Sequence, residues 1–467
     1  MRQLHLAELR DSWSAWLGVC VAFIATNFTL ALSALTQLVG MRAVQSGVLP
    51  VDQSAALAIT PAQNFVFCAV IGGVVIGSST SLVVDSRRGS LARLALTGAT
   101  PRQVVSTVLS QLAVVSLVCS LVGDALAFAA LQPTLNFLAY ERGENLAPPA
   151  AIYAAWPVLL ANVFAIGVAM LGGFKHARRA SRIPPVEALR EASGGRNEGM
   201  TVGRWIAAVV CLVIVVGTYA AIPRLTANPD KESISNLLQA SMGLLIVTAA
   251  LLAMIAPLVV GPLTRAWTRI IPSFDPSWTL TRSTTVAKGA RLTKSVVPVM
   301  MSIGLLFGIV ALVDTVTSSA AANGLDATLE HAGPASLLAF LGLPLLVAMA
   351  GGVGSLIMMS KQRDAELALS GIVGTTPAQR LAMPIMEGAV IAVTGALMSL
   401  VMVASSIGFL AISFPALAFR FAFSPSYATL GVAFVIATVV TIAATTLPTL
   451  ASLRLPEPKV IARLVAE

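Results

Sequence analysis

Residues 85–111 read DSRRGSLARLALTGATPRQVVSTVLSQ, and residues 361–387 read KQRDAELALSGIVGTTPAQRLAMPIME. Aligned at an offset of 276, they share Arg87/Arg363, Leu91/Leu367, Ala92/Ala368, Gly98/Gly374, Thr100/Thr376, Pro101/Pro377 and Gln103/Gln379, seven identities in 27 positions. Self-similarity at a fixed offset marks an internal repeat. Read locally, Arg87, Arg88 and Arg93 accompany Leu91, Leu94 and Ala95 in a short amphipathic helix. Gly98 is suited to end that helix in a left-handed cap. Thr100 then caps a second helix, and Pro101 fills its first turn, where no N–H is missed. Gly374, Thr376 and Pro377 repeat the scheme beside Arg363, Glu366 and Leu367. The pattern predicts a stiff elbow, used twice, that carries thrust or torque from a short helix into a long one.

Both copies follow long apolar runs. The chain has 467 residues, 57% of them hydrophobic and 11% charged, with a mean hydropathy of +0.86. A soluble domain carries about 25% charged residues, so a water-soluble enzyme is excluded. Crossing roughly 30 Å of hydrocarbon takes about 20 apolar residues. Ten runs qualify: Trp13–Val39, Phe65–Val84, Val104–Leu131, Ala151–Phe174, Trp205–Ile222, Leu237–Val260, Val296–Thr315, Ala335–Met359, Met383–Phe414 and Thr429–Leu450. Pro185 and Arg190 match Pro458 and Arg463 at offset 273. The expected fold is an all-α integral membrane protein of about ten transmembrane helices. Residues 1–192 and 263–467 form two four-helix repeats, with a linker and two-span hairpin at 193–262. Parallel copies imply a pseudo-two-fold axis along the membrane normal.

With these spans, 25 of the 30 Lys and Arg residues fall on one side, leaving Arg42, Arg142, Arg224, Lys231 and Arg420 on the other. Basic loops stay in the cytoplasm. Both termini are therefore expected inside, in the inner or plasma membrane, and the outer loops are too short to hold a folded domain. The first apolar run is longer than a signal peptide's and lacks a clear small-x-small cleavage site, so it is expected to stay. Residues Leu6–Trp16 could lie along the inner interface.

Arg87–Val104 resembles the RRREIALLRALGATRRQI-like signature of the FtsX-like (MacB-type, type VII) ABC transporter permease family. Ile183–Arg190, read IPPVEALR, resembles the DPVEALR signature that closes that family's membrane domain. The second copy departs more, with Ser370 and Gly371 where the family prefers larger residues. Four, two and four spans look like the family's ten-span branch, whose large extracellular domain after the seventh span has only Ala320–Gly333 as its counterpart here. The resemblance implies separate cytoplasmic ABC ATPase subunits, two per permease, each docked at one elbow, with ATP and Mg held by them. The coupling residues it implies are Arg87, Arg88, Leu91, Arg93, Leu94, Gly98, Thr100 and Pro101, then Arg363, Glu366, Leu367, Gly374, Thr376 and Pro377.

The chain has no GxxxxGK[ST] phosphate loop of its own, and no cofactor is expected on it. Cys20, Cys68, Cys119 and Cys211 lie in apolar runs without CxxC spacing, and His5, His176 and His331 are scattered, so no metal site is expected. The basic surplus suits anionic membrane lipid and follows from topology, which gives no reason to expect nucleic acid. Three acids lie inside the spans, and of these Asp314 stands at the outer edge of the seventh, where it is expected to reach water. Charge at mid-membrane costs at least about 2.5–3.5 kcal/mol, so Asp124 and Glu387 should face protein or water. Glu387 stands opposite Gln111 at the repeat offset and is expected to bind backbone or an Arg. Asp124 either lines a substrate path or satisfies a helix contact. Gly73 and Gly77, and Gly351, Gly352 and Gly354, form small-residue faces that suit close helix approach.

These features suggest a permease that couples ATP hydrolysis to export, or membrane extraction, of a hydrophobic or amphipathic molecule such as an antimicrobial peptide, lipid or drug. The alternative is a transmembrane signalling module acting on an outer partner. Lone intramembrane acids without basic partners disfavour an ion-driven carrier.

Overall fold

The computed structural model describes residues 13–47, 60–87, 91, 94–140, 149–180, 200–226, 231–272, 275–324, 334–425 and 427–453. Its helices are α1 (Trp13–Gln45), α2 (Thr60–Ser86), α3 (Pro101–Tyr140), α4 (Ala155–Ala180), α5 (Val202–Ala220), α6 (Ile222–Leu225), α7 (Lys231–Thr268), α8 (Pro276–Ala287), α9 (Gly289–Ala322), α10 (Pro334–Met358), α11 (Ser360–Ile372), α12 (Pro377–Ala416) and α13 (Tyr427–Leu453). No strand occurs among the described residues. Ten of these helices are long and apolar enough to cross a membrane. The protein is an all-α, multi-pass membrane protein.

Each expected span has its helix, but α3 and α12 run to 40 residues. At 1.5 Å per residue that is about 60 Å, roughly twice the hydrocarbon thickness. Hydropathy marks only the part in lipid. The helices themselves start earlier, at Pro101 and Pro377, where their caps lie. The short α8 was not expected. The Asp275 side chain caps it by accepting from the Ser277 N–H at 2.9 Å, and Pro276 fills its first turn.

Helix α1 packs on α2, α3 and α4, α2 on α4, and α3 on α4. The same pattern recurs with α9 on α10, α12 and α13, α10 on α13, and α12 on α13. The two sets meet where α2 and α10 run side by side. Asn64 Nδ2 donates to the Ala339 carbonyl at 2.8 Å, and Val75 lies against Gly351, its own counterpart at offset 276. Helix α7 lies on α12 and α9, with α5 on α7. Side-chain hydroxyls fasten them: Tyr219 donates to the Ser405 carbonyl at 2.7 Å, Ser406 to that of Ser241 at 2.9 Å, and Thr248 meets the Ser405 hydroxyl at 2.9 Å. In lipid, where apolar contact gives no net drive, such bonds and close backbone approach hold helices together.

The glycines that allow that approach differ from expectation on α2. Gly73 and Gly77 have open space where a Cβ would stand. Helix α2 is rotated so that Gly72 meets Thr26 of α1. On α10, Gly351 and Gly354 do make close approaches, to Val75 and to Gly18. At the far end of the bundle, Ser318 and Ser319 donate to the Ala422 carbonyl at 2.6 and 3.1 Å, pinning the α12–α13 connection to α9.

Candidate functional site

The first elbow begins where α2 ends. Leu91 and Leu94 settle with Ala99 on Val84 of α2, Val104 and Val108 of α3, and Ala177 of α4. The Gly98 N–H donates to the Ala95 carbonyl at 3.1 Å and the Ala99 N–H to that of Leu94 at 3.2 Å. This is the Schellman pattern, which needs a left-handed residue at Gly98; its φ is +96°. Thr100 and Gln103 then exchange bonds, the Thr100 N–H to Gln103 Oε1 at 2.8 Å and the Gln103 N–H to Thr100 Oγ1 at 3.4 Å. That capping box starts α3 at Pro101.

The second elbow repeats this bond for bond. The Gly374 N–H donates to the Gly371 carbonyl at 3.1 Å and the Thr375 N–H to that of Ser370 at 3.2 Å, with Gly374 at φ +106°. The Thr376 N–H donates to Gln379 Oε1 at 2.9 Å and the Gln379 N–H to Thr376 Oγ1 at 3.3 Å, and Pro377 opens α12.

Each elbow is posted by a buried arginine. Arg87, 8% exposed, donates from Nη1 to Gln111 Oε1 of α3, and its guanidinium stands 5.7 Å over the Trp16 ring of α1. Arg363, 2% exposed, donates from Nε to Glu387 Oε2 of α12 at 2.7 Å and from Nη1 to the Thr445 carbonyl of α13 at 2.9 Å. Gln111 and Glu387 are equivalent positions, so both repeats tie the same two points. Glu387 thus binds an arginine, as its placement suggested.

The arginines and the buried Leu91 and Leu367 hold the elbows from within. Beside the exposed polar Thr97, Arg102 and Gln103, the elbows offer apolar side chains outward: Leu96 (53% exposed), its counterpart Ile372 (62%), Val373 (87%) and Leu369. These were overlooked in the sequence, although Leu96 and Ile372 stand at the repeat offset. Glu366 lies on α11, where it pairs with Lys288 at 2.5 Å. Arg88 and Arg93 lie outside the described residues, as do Ile183–Arg190, Pro458 and Arg463. The two elbows share one end of the bundle. Lys288 pairs with Glu366 of the second, and Lys294, six residues on, pairs with Asp85 at the root of the first.

Asp124 lies away from both elbows, about 35 Å along α3 from Pro101. Its carboxylate accepts from Asn27 Nδ2 of α1 at 2.7 Å and from Asn162 Nδ2 of α4 at 2.9 Å. Asn27 Nδ2 also donates to the Ser120 carbonyl at 2.9 Å. Asp124 therefore joins three helices of the first set. No cluster of three or more His, Cys, Asp or Glu fit to hold a metal occurs among the described residues.

The family model of the FtsX-like permease C-terminal domain matches the chain twice, over residues 65–185 and 338–456. Together these matches cover just over half the chain, and each contains one elbow. The chain belongs to the FtsX-like permease family. A comparison with curated proteins found no match. FtsX-like permeases are membrane subunits of ABC transporters that work with separate ATPase partners, and the permease is not itself the ATPase. In this FtsX-like permease, the matched segments run from within α2 past α4, and from within α10 past α13.

Proposed function

We propose that the chain is a permease that couples ATP hydrolysis on two cytoplasmic ABC ATPases, one per elbow, to export or membrane extraction of a hydrophobic or amphipathic molecule. The observation that carries this reading is the elbow itself, built twice with the same caps and the same arginine post. A Schellman stop followed at once by a capping box leaves no slack between the short helix and the span. Thrust on the exposed Leu96 or Ile372–Val373 tip would therefore turn α3 or α12 as a lever. Their apolar character suits a groove on a protein partner.

In this reading the elbow end is cytoplasmic, both termini are inside, and the membrane is the inner or plasma membrane. ATP and Mg belong to the partner. Residues 1–192 and 263–467 act as two moving units, and 193–262 rides with the second through its hydroxyl bonds to α12. Exposed basic residues of the elbow end such as Arg102 face anionic lipid headgroups, and no nucleic acid is involved. Long apolar faces on α3, α4 and α5 are exposed, as suits a substrate already dissolved in the bilayer.

Co-purification of the permease with its ATPase, followed by native mass measurement, tests the reading. Two ATPases per permease support it. A permease that retains none, or that moves lipophilic dye on a proton gradient alone, refutes it.

A further inference from the structure

Besides the α2–α10 contact, the two sets of helices meet along two lines that the repeat makes equivalent, a broad seam of α1 against α10 and a slight one of α9 against α2. They are built differently. In the first, Gly18 and Gly354 bring backbone against backbone, and a Cβ on either would run into the other's carbonyl oxygen. In the second, the position equivalent to Gly18 is Lys294. Its ammonium pairs with Asp85 in the last turn of α2, the two side chains being 10% and 23% exposed. Lys288, just before α9, grips Glu366 on α11. The base of α9 thus holds its own elbow through Lys288 and the root of the other through Lys294, since Asp85 lies two residues before Arg87. At offset 276 the positions corresponding to Lys288 and Lys294 are Ser12 and Gly18. Neither carries a charge, so the first repeat has no equivalent of this lysine pair.

We infer that Lys294 and Asp85 are positioning residues that form a latch on the α2–α9 seam, while the Gly18–Gly354 contact serves as the hinge. Backbone packed on backbone cannot part without losing its contacts. A lysine on a flexible stem can release its partner and find it again. When the elbows are driven, the seam that yields is the latched one. The inference rests on the coupling reading and specifies which seam opens.

The test uses the full permease with Cys20, Cys68, Cys119 and Cys211 replaced by Ala, carrying Asp85→Cys and Lys294→Cys, assembled with its ATPase in liposomes. A short homobifunctional maleimide, which makes up for the lost lysine stem, should cross-link the pair readily without nucleotide. Trapping with ATP and vanadate should lower the yield at least about fivefold, the sign of a shifted two-state population. In the otherwise native permease, Asp85→Lys and Lys294→Asp should each depress permease-dependent ATP turnover, and the double swap should restore it to within about twofold. A complex that traps vanadate with unchanged cross-linking, or a swap that rescues nothing, overturns the latch and leaves the coupling reading standing. Failure of the wild-type permease to bind ATPase overturns both.

Discussion

Arg363 Nε lies 2.7 Å from Glu387 Oε2, and 276 residues earlier Arg87 donates to Gln111. One repeat therefore ties its elbow with an ion pair and the other with a charged donor on a neutral amide. With Arg363 nearly dry and Glu387 a fifth exposed, this difference decides what each substitution does.

Glu387→Ala leaves the Arg363 guanidinium buried without its counter-charge, and losing one partner of a buried pair costs about 3–5 kcal/mol. Glu387→Gln reproduces the chemistry of the first elbow and should cost clearly less. Unfolding in detergent, followed by tryptophan fluorescence, ranks the two; equal losses would contradict the pairing. Gln111→Glu should leave the first elbow as stable as before, or more so.

Gly98 and Gly374 have positive φ with open space where a Cβ would stand, so a side chain there meets only backbone strain. Gly98→Val and Gly374→Val should each cost about 1–2 kcal/mol, whereas Asn, which tolerates that conformation, should cost less. The double valine variant should also lose permease-dependent ATP turnover while remaining in the membrane, read by turnover in liposomes beside a membrane-fraction blot.

Gly354→Ala should weaken the α1–α10 contact by about 1–3 kcal/mol through overpacking. Gly73→Ala, with nothing within reach, should be silent. Thermal aggregation midpoints in one detergent compare them directly.

Asn27→Leu removes a donor from Asp124 and should destabilise the first helix set by about 0.6–1.7 kcal/mol, the range seen for hydrogen bonds in lipid. Asp124→Leu in the same background should then cost less than it does alone, since only the Asn162 amide is left for it to serve. Additive losses in a double-mutant cycle would contradict a shared cluster.

The ten spans and both elbows were legible because their signals are local. A span is an apolar run, and an elbow is Gly, Thr and Pro at fixed spacing. What hydropathy misplaced were the ends of α3 and α12, since a cap such as Thr100 starts a helix well before lipid does. Which glycines touch depends on helix rotation, so Gly72 rather than Gly73 or Gly77 meets α1. The partners of Asp124 sit 97 and 38 residues away on other helices, and Lys294 reaches Asp85 across 209 residues. No period in the sequence joins such pairs. The exposed tips at Leu96 and Ile372 escaped notice for a simpler reason: an apolar residue beside a membrane span reads as part of the core.

A photo-cross-linking amino acid placed at Leu96, and separately at Ile372, tests most directly whether both elbows receive work from outside the chain. In the assembled complex each position should give one covalent adduct with the ATPase, and the same probe at Phe423 at the opposite end should give none. Adducts from Phe423, or from neither elbow, would contradict it.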